Sequence, residues 1–286
     1  MSSVARIVAP VGWSEWLRLL VGGLLVFTAA TVIMFLTQNP DLYPTVIVVG
    51  SFLVPVTFVA FLYQHQHASS LSHDAIVSAL IPGGLLGILG AAVLEPLILP
   101  EVTPAGDAPT LGAAMVVGVI EEGSKLLALA IVARGIRRRG ALDGLLLGAA
   151  VGMGFAAFES TGYAFTWLVA RGGGLDASIV ETLTRALAAP FGHGIWTAIA
   201  GAALFWGYGT RGWLGSVALA LGFGTAVVLH GLWDGLPATP VVALPAGINV
   251  ALSTVAVAVA GVVLLIILFH VAQRQQGGET PSVPAS

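Results

Sequence analysis

The sequence contains no cysteine and few charged residues. Charged residues make up 9% of its 286 residues and hydrophobic residues 57%, with a mean hydropathy of +0.96. Without cysteine there are no disulfides, thiolate nucleophiles or cysteine-ligated metals, so any metal must be held by His, Asp or Glu. Soluble domains carry about 25% charged residues, so this composition excludes a soluble protein. A net charge of −3 with no basic face gives no indication of nucleic-acid binding.

Long apolar runs divide the chain into about eight membrane crossings, since about 20 apolar residues span a bilayer as a helix. We predict an all-α polytopic membrane helical bundle, with a single transmembrane domain over residues 1–272. The polar tail over residues 273–286 is expected to be disordered. The first run is too long for the core of a cleaved signal peptide. The expected crossings are Trp16–Leu36, Tyr43–Tyr63, Asp74–Leu99 with a kink at Pro82, Leu111–Val132, Ala141–Ala170, Thr182–Tyr208, Trp213–Gly235 and Val241–His270.

The placement of arginines predicts the orientation of these crossings, because cytoplasmic loops carry an excess of Lys and Arg. With an even number of crossings, both termini lie on the same side as the Arg137–Arg139 link. Arg6, Arg211 and Arg274 fall on that side as well. We therefore expect both termini to be cytoplasmic.

The fourth crossing carries three ionisable residues, Glu121, Glu122 and Lys125, in the middle of its apolar run. Each such residue at membrane depth costs roughly 3 kcal/mol on insertion scales, so the three must face a polar interior or one another. Glu121 and Lys125 are four residues apart and can pair on one helix face. The stretch therefore either forms a buried ion pair that stabilises helix packing or supplies a carboxylate for catalysis or proton transfer.

Three later crossings carry polar residues at a similar depth. Counted along the helices, Glu122, Glu159 and His193 each lie about eleven residues, or roughly 16 Å, from the outer helix ends. His230 is shallower, at roughly 8 Å. Four helices of alternating direction thus place carboxylates and imidazoles in one layer, whereas Glu95 is assigned to the interface. Gly144, Gly148 and Gly152 form a small-residue face for close helix packing.

This set of side chains permits a metal-activated hydrolytic site. Two neutral imidazoles and a carboxylate can hold zinc and leave one position open for water. A further glutamate, Glu121 or Glu122, can take the proton from that water. Asp234, four residues after His230, is either a co-ligand or the group that orients the imidazole. Arg185 either neutralises a glutamate or contacts a substrate backbone.

The order of these motifs resembles the PrsW family of intramembrane proteases, a relative of the type II CAAX prenyl proteases and bacterial Abi proteins. The resemblance covers roughly residues 116–234. It rests on four stretches, which are Glu121-Glu-Gly-Ser-Lys125, Gly152-Met-Gly-Phe-Ala-Ala-Phe-Glu159, His193, and His230-Gly-Leu-Trp-Asp234.

The resemblance implies a peptide hydrolase of the bacterial inner membrane with a catalytic core over about residues 111–235. By motif, Glu121 is the first glutamate of the catalytic pair, beside Glu122. The relatives have a histidine where this chain has Glu159 and an arginine where it has Lys125. The implied ligand set is therefore His193, His230 and Glu159, or else a glutamate works without a tightly held metal. The implied substrate is a membrane-anchored protein, since known PrsW members cut an anti-sigma factor at site 1.

Two other functions compete with the protease. The buried glutamates and histidines are also compatible with proton- or cation-coupled transport, although no inverted repeat supports it. A catalytically silent membrane scaffold is the other alternative, and a bis-histidine haem site is disfavoured by the surrounding glutamates.

Overall fold

The computed structural model describes residues 14–99, 109–136, 140–169, 174–210, 212–243 and 249–278. Within these ranges the chain forms ten α-helices and one short pair of antiparallel strands. The helices are α1 Glu15–Thr37, α2 Tyr43–His65, α3 His73–Ser78, α4 Gly84–Ile98, α5 Leu111–Val132, α6 Ala141–Val169, α7 Gly174–Ala188, α8 His193–Gly209, α9 Trp213–Gly235 and α10 Leu252–Gly278, and the strands are β1 Val241–Ala243 and β2 Asn249–Ala251.

The predicted polytopic all-α membrane bundle is confirmed. In the described part of the chain, seven helical segments are long and apolar enough to cross a membrane. Helix α5 is not among them because it carries Glu121, Glu122 and Lys125. Its 22 residues nevertheless reach about 33 Å, enough for an eighth crossing.

Helix α6 lies at the centre of the bundle, and 89% of the residues in its apolar 18-residue stretch are buried. The predicted glycine face is the reason that α8 can lie directly against it. A Cβ atom at Gly144, Gly148 or Gly152 would overlap the backbone carbonyl of Gly201, Thr197 or His193, respectively. These glycines therefore place the first residue of α8 against the middle of α6.

Proline and glycine shape two of the predicted crossings. Around Pro82, residues Ala79–Gly83 form a π-helical turn between α3 and α4, as expected where proline removes a backbone donor. The crossing predicted over Thr182–Tyr208 is not continuous. Helix α7 ends at Ala188, a 3₁₀ turn containing Pro190 follows, and α8 begins only at His193.

The last crossing differs from its prediction at both ends. It was expected to begin at Val241, but β1 and β2 pair first, with Val241 opposite Ala251, and α10 starts at Leu252. The tail was expected to be disordered from residue 273, yet α10 remains helical through Gly278. Gln276 near its end donates to the buried Asp143 carboxylate at 3.0 Å, which anchors this end of the helix. Residues 279–286 lie outside the described residues.

Candidate metal and catalytic centre

Four helices bring the polar residues of the sequence motifs together inside the bundle. Helix α5 supplies Glu121, Glu122 and Lys125, which are 6%, 0% and 0% exposed. Because these residues are three and four positions apart on one helix, their side chains converge on the same side. The predicted layer of carboxylates and imidazoles is therefore a single contact cluster, completed by residues of α6, α8 and α9.

The Lys125 ammonium lies at the middle of the cluster. Its Nζ donates to Glu121 Oε2 at 3.0 Å and to Glu122 Oε1 at 2.8 Å. A third contact, at 2.8 Å, joins Nζ to Nδ1 of His193. The ring of Phe155 covers the ammonium from 3.8 Å. One cation thus pairs with two buried carboxylates and offsets one of their two negative charges, which lowers the cost of placing them at membrane depth.

The contacts of His193 determine which of its ring nitrogens carries the proton. An ammonium has only donors, so Nδ1 must accept from Lys125. The proton therefore lies on Nε2, which faces Glu159 Oε2 at 3.2 Å. Nδ1, whose lone pair is the one that could bind a metal, lies 3.8 Å from Glu121 Oε2.

His230 is held by carboxylates on both of its ring nitrogens and is 1% exposed. Nδ1 lies 3.1 Å from Glu122 Oε1. Nε2 lies 3.1 Å from Asp234 Oδ2 and 3.7 Å from Glu121 Oε2. Asp234 contacts the imidazole directly, as its spacing predicted. Its side chain is 35% exposed, more than that of Glu121 or Glu122.

Glu121, His193 and His230 form the group of described residues with the geometry of a metal site. One donor atom from each lies within 4.8 Å of the other two. Donors bound to one tetrahedral zinc lie roughly 3.3 Å apart, so the separations of 3.7 and 3.8 Å need only a small contraction. The other nitrogen of each imidazole faces a glutamate, which is the usual way to orient a metal-binding histidine.

The donor set therefore fits zinc under two conditions. Nε2 of His230 must give up its contact with Asp234, 3.1 Å away, so that its lone pair can bind the metal. The second condition concerns Lys125. Its Nζ lies 3.0 Å from Glu121 Oε2 and 2.8 Å from His193 Nδ1, two of the three donors. Two cations cannot share that space. A bound metal would require the Lys125 side chain to move away from His193 while it keeps its contact with Glu122.

Glu159 and Arg185 lie on the far side of His193 from Glu121. Glu159 Oε2 contacts His193 Nε2, whereas Glu121 approaches Nδ1. Arg185 Nη2 donates to Glu159 Oε2 at 2.5 Å, and its guanidinium lies over the ring of Tyr163 at 4.0 Å. Arg185 thus neutralises a glutamate, one of the two roles that the sequence left open. The geometry favours Glu121 over Glu159 as the carboxylate that joins the two imidazoles.

Three further residues contact the site, and the sequence predicted none of them as catalytic or metal-binding. Glu95 of α4, expected at the interface, lies close enough to Glu121 for the two carboxyl groups to interact. Thr197 Oγ1 donates to Glu122 Oε2 at 2.9 Å. Trp196 stacks on His230 with ring centroids 4.6 Å apart. Thr197 and Trp196 lie one helical turn beyond His193, so helix periodicity would have found them; only the packing of α4 on α5 identifies Glu95.

Replacing Lys125 with methionine is expected to destabilise the protein by about 3–5 kcal/mol, because it leaves two buried carboxylates without their counter-ion. Zinc should restore more stability to this variant than to the wild type, since the metal supplies the missing positive charge. Thermal unfolding in detergent, with and without zinc, measures both effects.

Ser124→Ala is the matched control for the Lys125 variant. Ser124 is the neighbouring buried residue, and its Oγ has no hydrogen-bond partner among the described residues. Its replacement should change neither the unfolding temperature nor the response to zinc. An equal response to zinc in Lys125→Met and the wild type would show that the ammonium and the metal do not use the same space.

Comparison with known proteins gives one match. The model of the PrsW family intramembrane metalloprotease matches residues 72–269, about two thirds of the chain and all of the helices that build the site. No curated protein and no solved structure matches.

Proposed function

We propose that this chain, which belongs to the PrsW family of intramembrane metalloproteases, cuts a peptide bond of a membrane-anchored protein at the cluster between α5, α6, α8 and α9. One observation carries the proposal. Glu121 Oε2 faces one nitrogen of each of two imidazoles, at 3.8 Å from His193 and 3.7 Å from His230. A carboxylate and two imidazoles around one space, inside an apolar bundle, are the groups that peptide hydrolysis by an activated water requires.

Glu121 has the central role in this mechanism. We place it as the carboxylate that holds the attacking water, takes its proton and returns the proton to the leaving amide nitrogen. His193 and His230, with Glu121 as third donor, would hold zinc. When bound, the metal polarises the scissile carbonyl and makes a water nucleophilic at neutral pH.

The remaining residues keep these groups in position. Glu122 is fully buried, and its oxygens are occupied by Lys125, Thr197 and His230, so it orients His230 and does not contact the water. Glu159 orients His193 from the opposite side, and Arg185 neutralises Glu159. A pre-oriented site of this kind gains rate because little reorganisation remains at the moment of reaction.

The exposure of the cluster indicates where the substrate enters. Glu122 and Lys125 are fully buried, whereas the side chains of Glu159, Arg185 and Asp234 are 13%, 26% and 35% exposed. Glu159 lies in the second half of α6, Arg185 in the last turn of α7 and Asp234 at the end of α9. With both termini cytoplasmic in a bacterial inner membrane, the side on which α6 and α9 end is the outer one. The substrate would then be a membrane-anchored protein cut near the outer face, such as an anti-sigma factor.

The organisation of the chain follows from the same placement. We assign residues 1–272 to a single transmembrane domain and residues 111–235, from α5 to α9, to its catalytic core. Helices α1 and α2 contribute no residue to the cluster; α2 packs against α6, and α1 packs against α2.

New protein N-termini, mapped in whole membranes, test the proposal even while the substrate is unidentified. Cells that express the wild type are compared with cells that express Glu121→Gln at the same level. We expect N-termini present only with the wild type, mapped close to the outer ends of membrane spans. Identical sets of N-termini in the two membranes would contradict a protease and favour the transport or scaffold alternatives.

A further inference from the structure

A small cavity lies beside the cluster, on the side of His193 that faces Glu159. Its volume is about 60 Å³, and its polar lining comes from Glu159, Ser160, Arg185, His193, Trp196 and Trp233. This volume admits a carbonyl group or a few water molecules. The cavity touches the catalytic cluster but lies outside the space between Glu121 and the two imidazoles.

Two residues that line this cavity each carry a buried donor without an acceptor in the described part of the chain. Among the described residues, five buried side-chain nitrogen and oxygen atoms lack a hydrogen-bond partner, and two of them, Trp196 Nε1 and Arg185 Nε, belong to residues that line this one cavity. Buried donors without a partner are rare because each forfeits its hydrogen bond to water. Glu159 cannot supply the acceptor at its Oε2, which already receives Arg185 Nη2 and His193 Nε2.

The missing partner is an uncharged acceptor. A carboxylate would be repelled by Glu159 in the lining, and an N–H or O–H group cannot pair with another donor, so the partner must offer an oxygen lone pair. A main-chain carbonyl oxygen is neutral, has two lone pairs and can accept both N–H groups at once. It is also the group that an extended peptide substrate presents on every residue.

Trp196 is held rigidly enough to serve as such a donor. It is 1% exposed, stacks on His230 at 4.6 Å, and meets the rings of His193 and Trp233 edge-on at 5.1 and 5.7 Å. A ring fixed on several sides loses little conformational entropy when it binds a ligand. A carbonyl group bound to its Nε1 would lie next to the two catalytic imidazoles.

We infer that Trp196 Nε1 and Arg185 Nε form a subsite that binds a main-chain carbonyl oxygen of the peptide substrate and positions the adjacent peptide bond at the cluster. This inference deepens the proposed protease function and rests on it. Trp196 is a binding residue in this scheme, and the proton transfers remain with Glu121.

The test measures substrate binding separately from cleavage. The probe is the single-span segment whose wild-type-dependent cut is identified by N-terminal mapping, labelled with a fluorophore and titrated against the Glu121→Gln protein in nanodiscs. Two variants of the Glu121→Gln protein, Trp196→Phe and Trp196→benzothienylalanine, remove the indole N–H. Benzothienylalanine keeps the bicyclic shape of the ring that stacks on His230. Trp206→Phe, on the same helix but about 15 Å further along, is the control.

We expect both Trp196 variants to raise the Kd of the probe about tenfold, the loss that corresponds to one buried hydrogen bond, and Trp206→Phe to leave it unchanged. A Kd of the benzothienylalanine variant equal to that of its parent would overturn the inference and would mean that only water fills the cavity. If no wild-type-dependent cut is found by mapping, the protease proposal fails first. A cut that is found, together with an unchanged Kd, removes the subsite alone.

Discussion

Replacing Glu121 with glutamine is expected to lower the rate of substrate cleavage about a thousandfold, the size of effect that a proton-transferring carboxylate contributes. The amide cannot take a proton from water, and it is a weaker metal donor than a carboxylate. The fold should survive, because Lys125 keeps its contacts with Glu122 and His193. Cleavage of the mapped substrate in nanodiscs, together with thermal unfolding, gives both quantities.

Glu122→Gln is the matched comparison, since it makes the same change one residue away. Glu122 is 0% exposed and contacts Lys125, Thr197 and His230. We expect this variant to lose stability, because a buried charge pair is broken, and to keep more activity than Glu121→Gln. Wild-type activity in Glu121→Gln, with loss of activity in Glu122→Gln, would transfer the catalytic role to Glu122.

Purified wild-type protein is expected to carry about one zinc ion per chain, and the His193→Ala/His230→Ala double variant should carry none. The two imidazoles supply two of the three donors of the candidate metal site, and Glu121 supplies the third. With both removed, the remaining carboxylates compete poorly with water for zinc. Elemental analysis of protein purified in detergent measures the zinc content directly.

The control for the double variant is His65→Ala/His67→Ala. Both residues are exposed, at the end of α2 and in the link that follows, so their loss should leave the zinc content unchanged. Absence of zinc from the wild type would identify a glutamate mechanism without metal, with Lys125 as the permanent cation of the site. Zinc that remains in the His193/His230 variant would place the metal elsewhere.

The zinc content of Glu121→Gln separates the two tasks that we assign to this carboxylate. If glutamine abolishes cleavage and also lowers zinc, Glu121 is a ligand as well as the proton acceptor. If zinc is retained while cleavage is lost, Glu121 acts on the water alone.

Composition and helical periodicity were sufficient for much of this protein. A chain with 57% hydrophobic and 9% charged residues can bury its backbone polar groups in a membrane only as helices or as a closed barrel, and it lacks the alternation of a barrel. Positions three and four apart share a helix face, so the grouping of Glu121, Glu122 and Lys125 followed from their spacing. The glycines of α6 predicted its close contact with a neighbouring helix for the same reason.

Only the tertiary structure decided which atoms of different helices meet. Spacing along one helix says nothing about the rotation of that helix relative to its neighbours, and that rotation determines that Glu121 faces His193 Nδ1 while Glu159 faces Nε2. The break at Pro190, which lets His193 begin a new helix, and the approach of Glu95 to Glu121 depend on the same packing. The sequence by itself determined a membrane bundle with buried carboxylates and imidazoles. Small residues let the helix backbones touch, and the resulting contacts between helices bring these side chains together as one site around Glu121.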